Sequence, residues 1–175
     1  MKILPFNGIF PKIDPSCFIT EGVYIIGDVE IGEGSSIWFG SVIRGDVNYI
    51  RIGKNVCVQD GTIIHVTNTL YPTIIGDNVV IGHRVVLHGC TIGNNILIGM
   101  GAIIMDGVKV GNNSIIAAGT LLTQKTEIPP NSLVMGFPGK VTEQIDERLL
   151  EKVKEGIENY KRTISIYRKD RNQAK

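Results

Sequence analysis

The chain has three histidines, His65, His83 and His88, and all of them fall within 24 consecutive positions of its 175 residues. Neutral imidazole is the commonest zinc-binding side chain, and three of them leave one tetrahedral position open for water. Spacing alone leaves a plainer reading open, that of three unrelated surface or turn histidines. Arg44, Asp46, Gln59 and Asp60 stand just ahead of them.

What positions these residues is an internal repeat. An aliphatic residue recurs every six positions: Ile13, Ile19, Ile25, Ile31, Ile37 and Ile43, then Ile52, Val58 and Ile64, then Ile75, Ile81 and Leu87, then Ile92, Ile98, Ile104, Val110, Ile116 and Leu122. A second column of small or β-branched residues sits four places after the first, among them Val23, Val29, Ser35, Ser41, Val47, Val56, Thr62 and Val79. Glycine and polar turn residues follow the aliphatic positions, as in Ile52-Gly53-Lys54-Asn55 and Ile92-Gly93-Asn94-Asn95.

This pattern resembles the hexapeptide-repeat proteins. The resemblance implies a mainly β fold, a left-handed parallel β-helix with three units to each triangular coil, and hence about six coils. The aliphatic column fills the interior, at roughly 1.5–3 kcal/mol per buried side chain. The frame is interrupted between Ile43 and Ile52, between Ile64 and Ile75, and between Leu87 and Ile92. Two of these breaks are small loops beside the histidines, and loops on a rigid scaffold are where function tends to be carried.

The repeat also serves as a ruler. His65 and His88 each stand one place after an aliphatic residue, three units apart, so they stack on adjacent coils about 4.8 Å apart at the backbone. Arg44 belongs to the same column one coil earlier. His83 stands two places after Ile81, on the preceding side of the triangle, and Asp60 stacks one coil before it with Gln59 adjacent. One ion bound by all three histidines therefore needs His83 from a neighbouring chain.

Arg44-Gly45-Asp46, Gln59-Asp60-Gly61, His65 and the run Gly82-His83 to His88-Gly89-Cys90 together resemble the γ-class carbonic anhydrase family. That resemblance implies a homotrimer with a metal at each subunit interface, zinc, with iron(II) or cobalt(II) as alternatives, held by His65, His83 and His88. It implies reversible hydration of carbon dioxide, a small-molecule substrate, by metal-bound hydroxide. Gln59 would orient hydroxide or substrate, and Arg44, Asp46 and Asp60 would form the interface network. Two departures bear on turnover. Val47 stands where active members carry glutamate, and the loop from Val66 to Pro72 has no acid to carry the proton away. The C-terminal Tyr160 is the substitute candidate, or else a tyrosine that packs on the coil. The alternatives are a hexapeptide-repeat acyltransferase or CoA-ester hydrolase, and a metal-binding relative with little or no turnover.

The first unit spans residues 1–141, with the run from Pro129 to Val141 closing the repeat. Beyond it the period changes to that of a helix over 142–168, with Thr142 as N-cap, Glu143 in the first turn, and one apolar face of Ile145, Leu149, Val153, Ile157, Tyr160, Ile164 and Tyr167. Residues 169–175 read as a flexible tail. A formal net charge of +1 argues against nucleic acid as partner. No apolar run is long enough for a membrane span, and Pro5 interrupts the N-terminal apolar stretch, so neither signal peptide nor anchor is expected. Cys17, Cys57 and Cys90 are too few and odd in number for a disulfide framework, which points to a reducing, cytoplasmic location.

Overall fold

The computed structural model describes residues 1–173; residues 147–149 and 171–173 are described by their backbone alone. The chain is mainly β and winds into a parallel β-solenoid of about seven turns, followed by a single helix. Each turn contributes one short strand to each of three stacks. The first stack takes Lys2–Leu4, the starts of Tyr24–Ile31 and Val42–Ile52, then Ile63–His65, Val86–His88, Ile103–Ile104 and Leu121–Leu122. The second takes Lys12–Ile13, the ends of the same two long strands, Thr73–Ile75, Thr91–Ile92, Lys109–Val110 and Glu127–Ile128. The third runs through Phe18–Ile19, Ser36–Ile37, Cys57–Val58, Val79–Ile81, Ile96–Ile98, Ile115–Ile116 and Ser132–Gly136.

The registers follow the six-residue frame. Ile25 pairs with Ile43, Ile43 with Ile64, Ile64 with Leu87, Leu87 with Ile104 and Ile104 with Leu122. All of these side chains are fully buried in one continuous core. There are seven turns and not six because the frame continues through Ile128 and Val134, both buried, and Lys2–Leu4 adds a rung at the other end. Two hydroxyls of the second column are satisfied by the following turn: Ser41 Oγ donates to the Gln59 carbonyl at 2.9 Å and Thr62 Oγ1 to the Gly82 carbonyl at 3.0 Å. Val47 is the exception in that column. The longer connection turns it outward, 40% exposed, and Ile50 fills the interior in its place.

One corner of the solenoid is an asparagine ladder. Asn55, Asn78, Asn95, Asn113 and Asn131 all adopt the left-handed backbone conformation, with φ between 54° and 61°. Each of the first four donates its side-chain amide to the next asparagine's Oδ1 at 3.0–3.2 Å. Asparagine tolerates this conformation better than other residues with a Cβ, which explains its recurrence here.

The C-terminal boundaries differ from the sequence expectation. Thr142 and Glu143 lie in the strand Gly139–Gln144, antiparallel to Ser132–Gly136, and the helix is Glu147–Gln173. Thr142 Oγ1 donates to the Leu133 carbonyl at 3.2 Å, so the hydroxyl serves the hairpin and not a helix start. The helix continues through 169–173, where a tail was expected; residues 174 and 175 lie outside the described residues. Val153 and Ile157 pack on Val80 and Ile115, outward residues of the third stack, and Tyr160 and Ile164 pack on Phe18, Trp38 and Cys57 nearer the first turn. Arg168 donates to the Ser16 carbonyl at 2.8 Å. The helix therefore covers the third stack of its own protomer along most of its length. The side chain of Leu149 is outside the described residues.

Candidate metal centre

His65 and His88 are register partners on adjacent turns, at the edge where the first stack bends toward the second. Their backbones are fixed by the buried pair Ile64 and Leu87, one residue earlier. The rings meet edge to face, with Nδ1 of His65 and Nε2 of His88 3.1 Å apart. The far nitrogen of each ring meets a carboxylate. His65 Nε2 lies 3.0 Å from Asp46 Oδ1, and His88 Nδ1 lies 2.8 Å from Asp106 Oδ1.

Asp46 accepts from the Arg44 guanidinium on its other oxygen. Burial pushes the Asp46 carboxyl up, but hydrogen bonds from His65 and Arg44 and the Arg44 charge outweigh it and hold it below the ordinary value. The two loops are tied together, since Asn48 Nδ2 donates to the Thr67 carbonyl at 3.0 Å. Thr67 Oγ1 in turn donates to Asp106 Oδ1 at 2.7 Å.

His83 is elsewhere, at the corner between the third and first stacks, where its Nδ1 lies 2.8 Å from Asp60 Oδ2. Gln59 is buried; its backbone NH donates to the Ile81 carbonyl, and its side-chain amide makes no hydrogen bond among the described residues. Tyr160 packs edge-on against Trp38 with ring centroids 5.2 Å apart. Burial, with the nearby Cys57 and Asp60, pushes its hydroxyl up to about 12. Arg44, Asp46, His65 and His88 thus form one cluster, Asp60 and His83 a second, and Tyr160 lies on the face of the helix that packs on Trp38.

Asp106 and Thr67 were not among the residues singled out from sequence. The repeat could have found Asp106, which stands two places after Ile104 in the column that contains Gly89, one turn past His88. The loop 66–72 has no acid of its own, and this carboxylate reaches it from the next turn.

The facing imidazole nitrogens suit one divalent ion, because two bonds of about 2.0–2.1 Å span a 3.1 Å gap. Among the described residues of the single protomer, no group of three His, Cys, Asp or Glu could hold a metal. The cysteines are free, and burial pushes the thiols of Cys57 and Cys90 up to about 12, which disfavours the thiolate that metal binding requires. Among the described residues, no helix is long and apolar enough to cross a membrane.

Residues 10–45 and 89–124 match the family model described as bacterial transferase hexapeptide (six repeats). A probable carbonic anhydrase of Methanocaldococcus jannaschii is 53% identical over 142 residues, 81% of this chain and 89% of that protein. The mitochondrial gamma carbonic anhydrase 2 of Arabidopsis thaliana is 48% identical over 101 residues, 55% of this chain but only 36% of that longer protein. Among solved structures, a Bacillus cereus protein described as a candidate acetyltransferase superposes with a TM-score of 0.91 at 43% identity, covering 94% of this chain and 95% of that one.

Proposed function

Because the chain belongs to the hexapeptide-repeat family that includes the gamma carbonic anhydrases, we propose that it is a zinc-dependent enzyme of that kind. Its reaction is the reversible hydration of carbon dioxide to bicarbonate. The ligands are His65 and His88 of one subunit and His83 of a neighbouring copy in a homotrimer. The observation that carries this reading is the 3.1 Å approach of two imidazole nitrogens whose opposite nitrogens both face carboxylates. Carboxylate-backed histidine is the usual surrounding of a metal-ligating imidazole.

The third ligand has the same support, since Asp60 holds Nδ1 of the half-exposed His83 and leaves Nε2 uncommitted among the described residues. When bound, zinc supplies Lewis acidity that lowers the pKa of its water to about 7, the value established for carbonic anhydrase. The protein's own groups do the rest. Arg44 and Asp46 lock the ring of His65. The uncommitted amide of Gln59 orients the substrate or attacking oxygen by hydrogen bonding. Burial pushes the Tyr160 hydroxyl up to about 12, which disfavours its acting as a base in a relay. Val47 and the acid-free loop leave Asp46, already committed to His65 and Arg44, as the one carboxylate on these two connections, and slow turnover follows. The free thiols, two of them buried, fit a reducing compartment, the cytoplasm.

A second reading has one observation in its favour. The His83–Asp60 pair with a free Nε2 is also the arrangement of a general base, which would suit acyl transfer or hydrolysis of a CoA ester. One experiment separates the readings: purify the protein, measure mass and metal per subunit, and follow carbon dioxide hydration by stopped flow with and without chelator. One metal per subunit and chelator-sensitive hydration are expected. Metal without hydration would leave a metal-binding scaffold, and a metal-free protein that turns over acyl-CoA would favour transfer.

A further inference from the structure

We propose that Asp106 is a positioning residue for the metal centre, holding His88 so that Nε2 and not Nδ1 is the nitrogen offered to the ion. The inference rests on the metal-binding reading above and gives the carboxylate behind His88 a specific part in it. Asp106 Oδ1 takes up His88 Nδ1 at 2.8 Å and also accepts from Thr67 Oγ1 at 2.7 Å. A ring held at Nδ1 has one nitrogen left, and Nε2 is the atom that faces His65 at 3.1 Å.

The backbone keeps this space open. Gly89 sits one turn before Asp106 in the same column, at φ +56°, and a Cβ built there would lie 2.3 Å from Asp106 Oδ1. Any side chain at 89 would push the carboxylate off His88. The Thr67 hydroxyl anchors the same oxygen from the other side, so Asp106 is itself held in place. The result is a pair of imidazoles presented in opposite sense: His65 is held at Nε2 by Asp46 and offers Nδ1, and His88 is held at Nδ1 by Asp106 and offers Nε2. A carboxylate acceptor of this kind fixes tautomer and ring orientation, and its loss typically costs 10–100-fold in metal affinity.

The test compares the purified wild-type protein with D106A, D106N and T67V. Zinc affinity is read by competition with a chromophoric chelator, melting temperature on the metal-free proteins, and the His88 tautomer by long-range ¹⁵N–¹H NMR without metal. D106A is expected to lose about 10–100-fold in affinity. D106N loses less, because its amide oxygen still accepts from Nδ1–H, and T67V loses least. The wild-type ring carries its proton on Nδ1, and D106A shifts it toward a mixture. If D106A does not fold, D106N carries the comparison. Wild-type metal uptake with unchanged affinity in the variants overturns this inference alone. So does an affinity loss that tracks melting temperature while the His88 tautomer stays put. A wild-type protein that takes no metal overturns the metal-binding reading, and this one with it.

Discussion

The first and second strand stacks are alike inside and opposite outside. Both send one aliphatic side chain per turn into the same core. Outward, the first stack presents Tyr24, Val42, Ile63, Val86, Ile103 and Leu121, an apolar column in which Tyr24, Ile63 and Ile103 are each more than a third exposed. The second presents Lys12, Glu30, Arg51, Ile74, Thr91, Lys109 and Glu127 along its rungs, charged at five of seven, with Lys12 paired to Glu30, Arg51 to Glu30, and Lys109 to Glu127. The third stack is also apolar outward, but its own helix covers it. The repeat therefore specifies the interior three times over, and the outward position decides what each face meets: water, the helix, or another molecule. The uncovered apolar face is the one that ends on His65 and His88. This fits the proposed trimer, in which covering that face also delivers the third ligand.

The sharpest way to break the contrast is a charge in the middle of each column. I63D sits between Val42 and Val86 in register and should convert the trimer to monomers and abolish stoichiometric metal binding. T91D, between Ile74 and Lys109 on the second face, should leave both unchanged. Light scattering behind a sizing column, with metal analysis and circular dichroism as a folding control, reads all of these. An intact trimer in I63D would remove the role assigned to the first face.

Interior substitutions should show no such asymmetry. Leu87 and Ile92 are fully buried on the first and second stacks respectively. L87A and I92A should each cost about 2–5 kcal/mol in urea unfolding, by lost burial and the cavity left behind. A large difference between them would mean that the two faces are not equivalent inside.

Metal removal should be felt on the first face only. With free metal at 100 times its dissociation constant, binding stabilises by about 2.7 kcal/mol. A strong chelator should remove that increment from the wild type and from T91D. In I63D there should be nothing to remove.

The interior was legible in the sequence because one residue type at one spacing carries it, and the stacking of His65 on His88 followed by counting. Three features were hidden for physical reasons. Thr142-Glu143 has the residue types of a helix start, but pairing with Ser132–Gly136 gives that segment a strand partner, and tertiary contact outweighed local preference. Val47 kept the step count of its column, yet the longer connection swapped Ile50 inward, which the spacing did not distinguish. Asp106 contacts His88 across a corner and a full turn. Searching for an acid within the loop beside the histidines could not reveal one delivered from the next rung.

The smallest expected effect concerns acid stability, measured on metal-free protein. Asp46 and Glu127 are both held below their ordinary values, Asp46 against burial by His65 and Arg44, Glu127 chiefly by its hydrogen bond from Lys109. A carboxyl whose folded pKa lies below its unfolded value stabilises the fold above the unfolded value and loses that stabilisation as pH falls through the folded one. For Asp46 the window therefore opens below about 3.8. Urea midpoints measured from pH 6 down to about pH 3 should fall less steeply in D46N than in the wild type. E127Q should follow the wild type closely, because Glu127 is fully exposed and water screens its pair. Equal flattening in both variants would show that the enclosed carboxylate beside the histidines is no more tightly held than a surface ion pair, and the electrostatic half of the contrast between the two faces would fail.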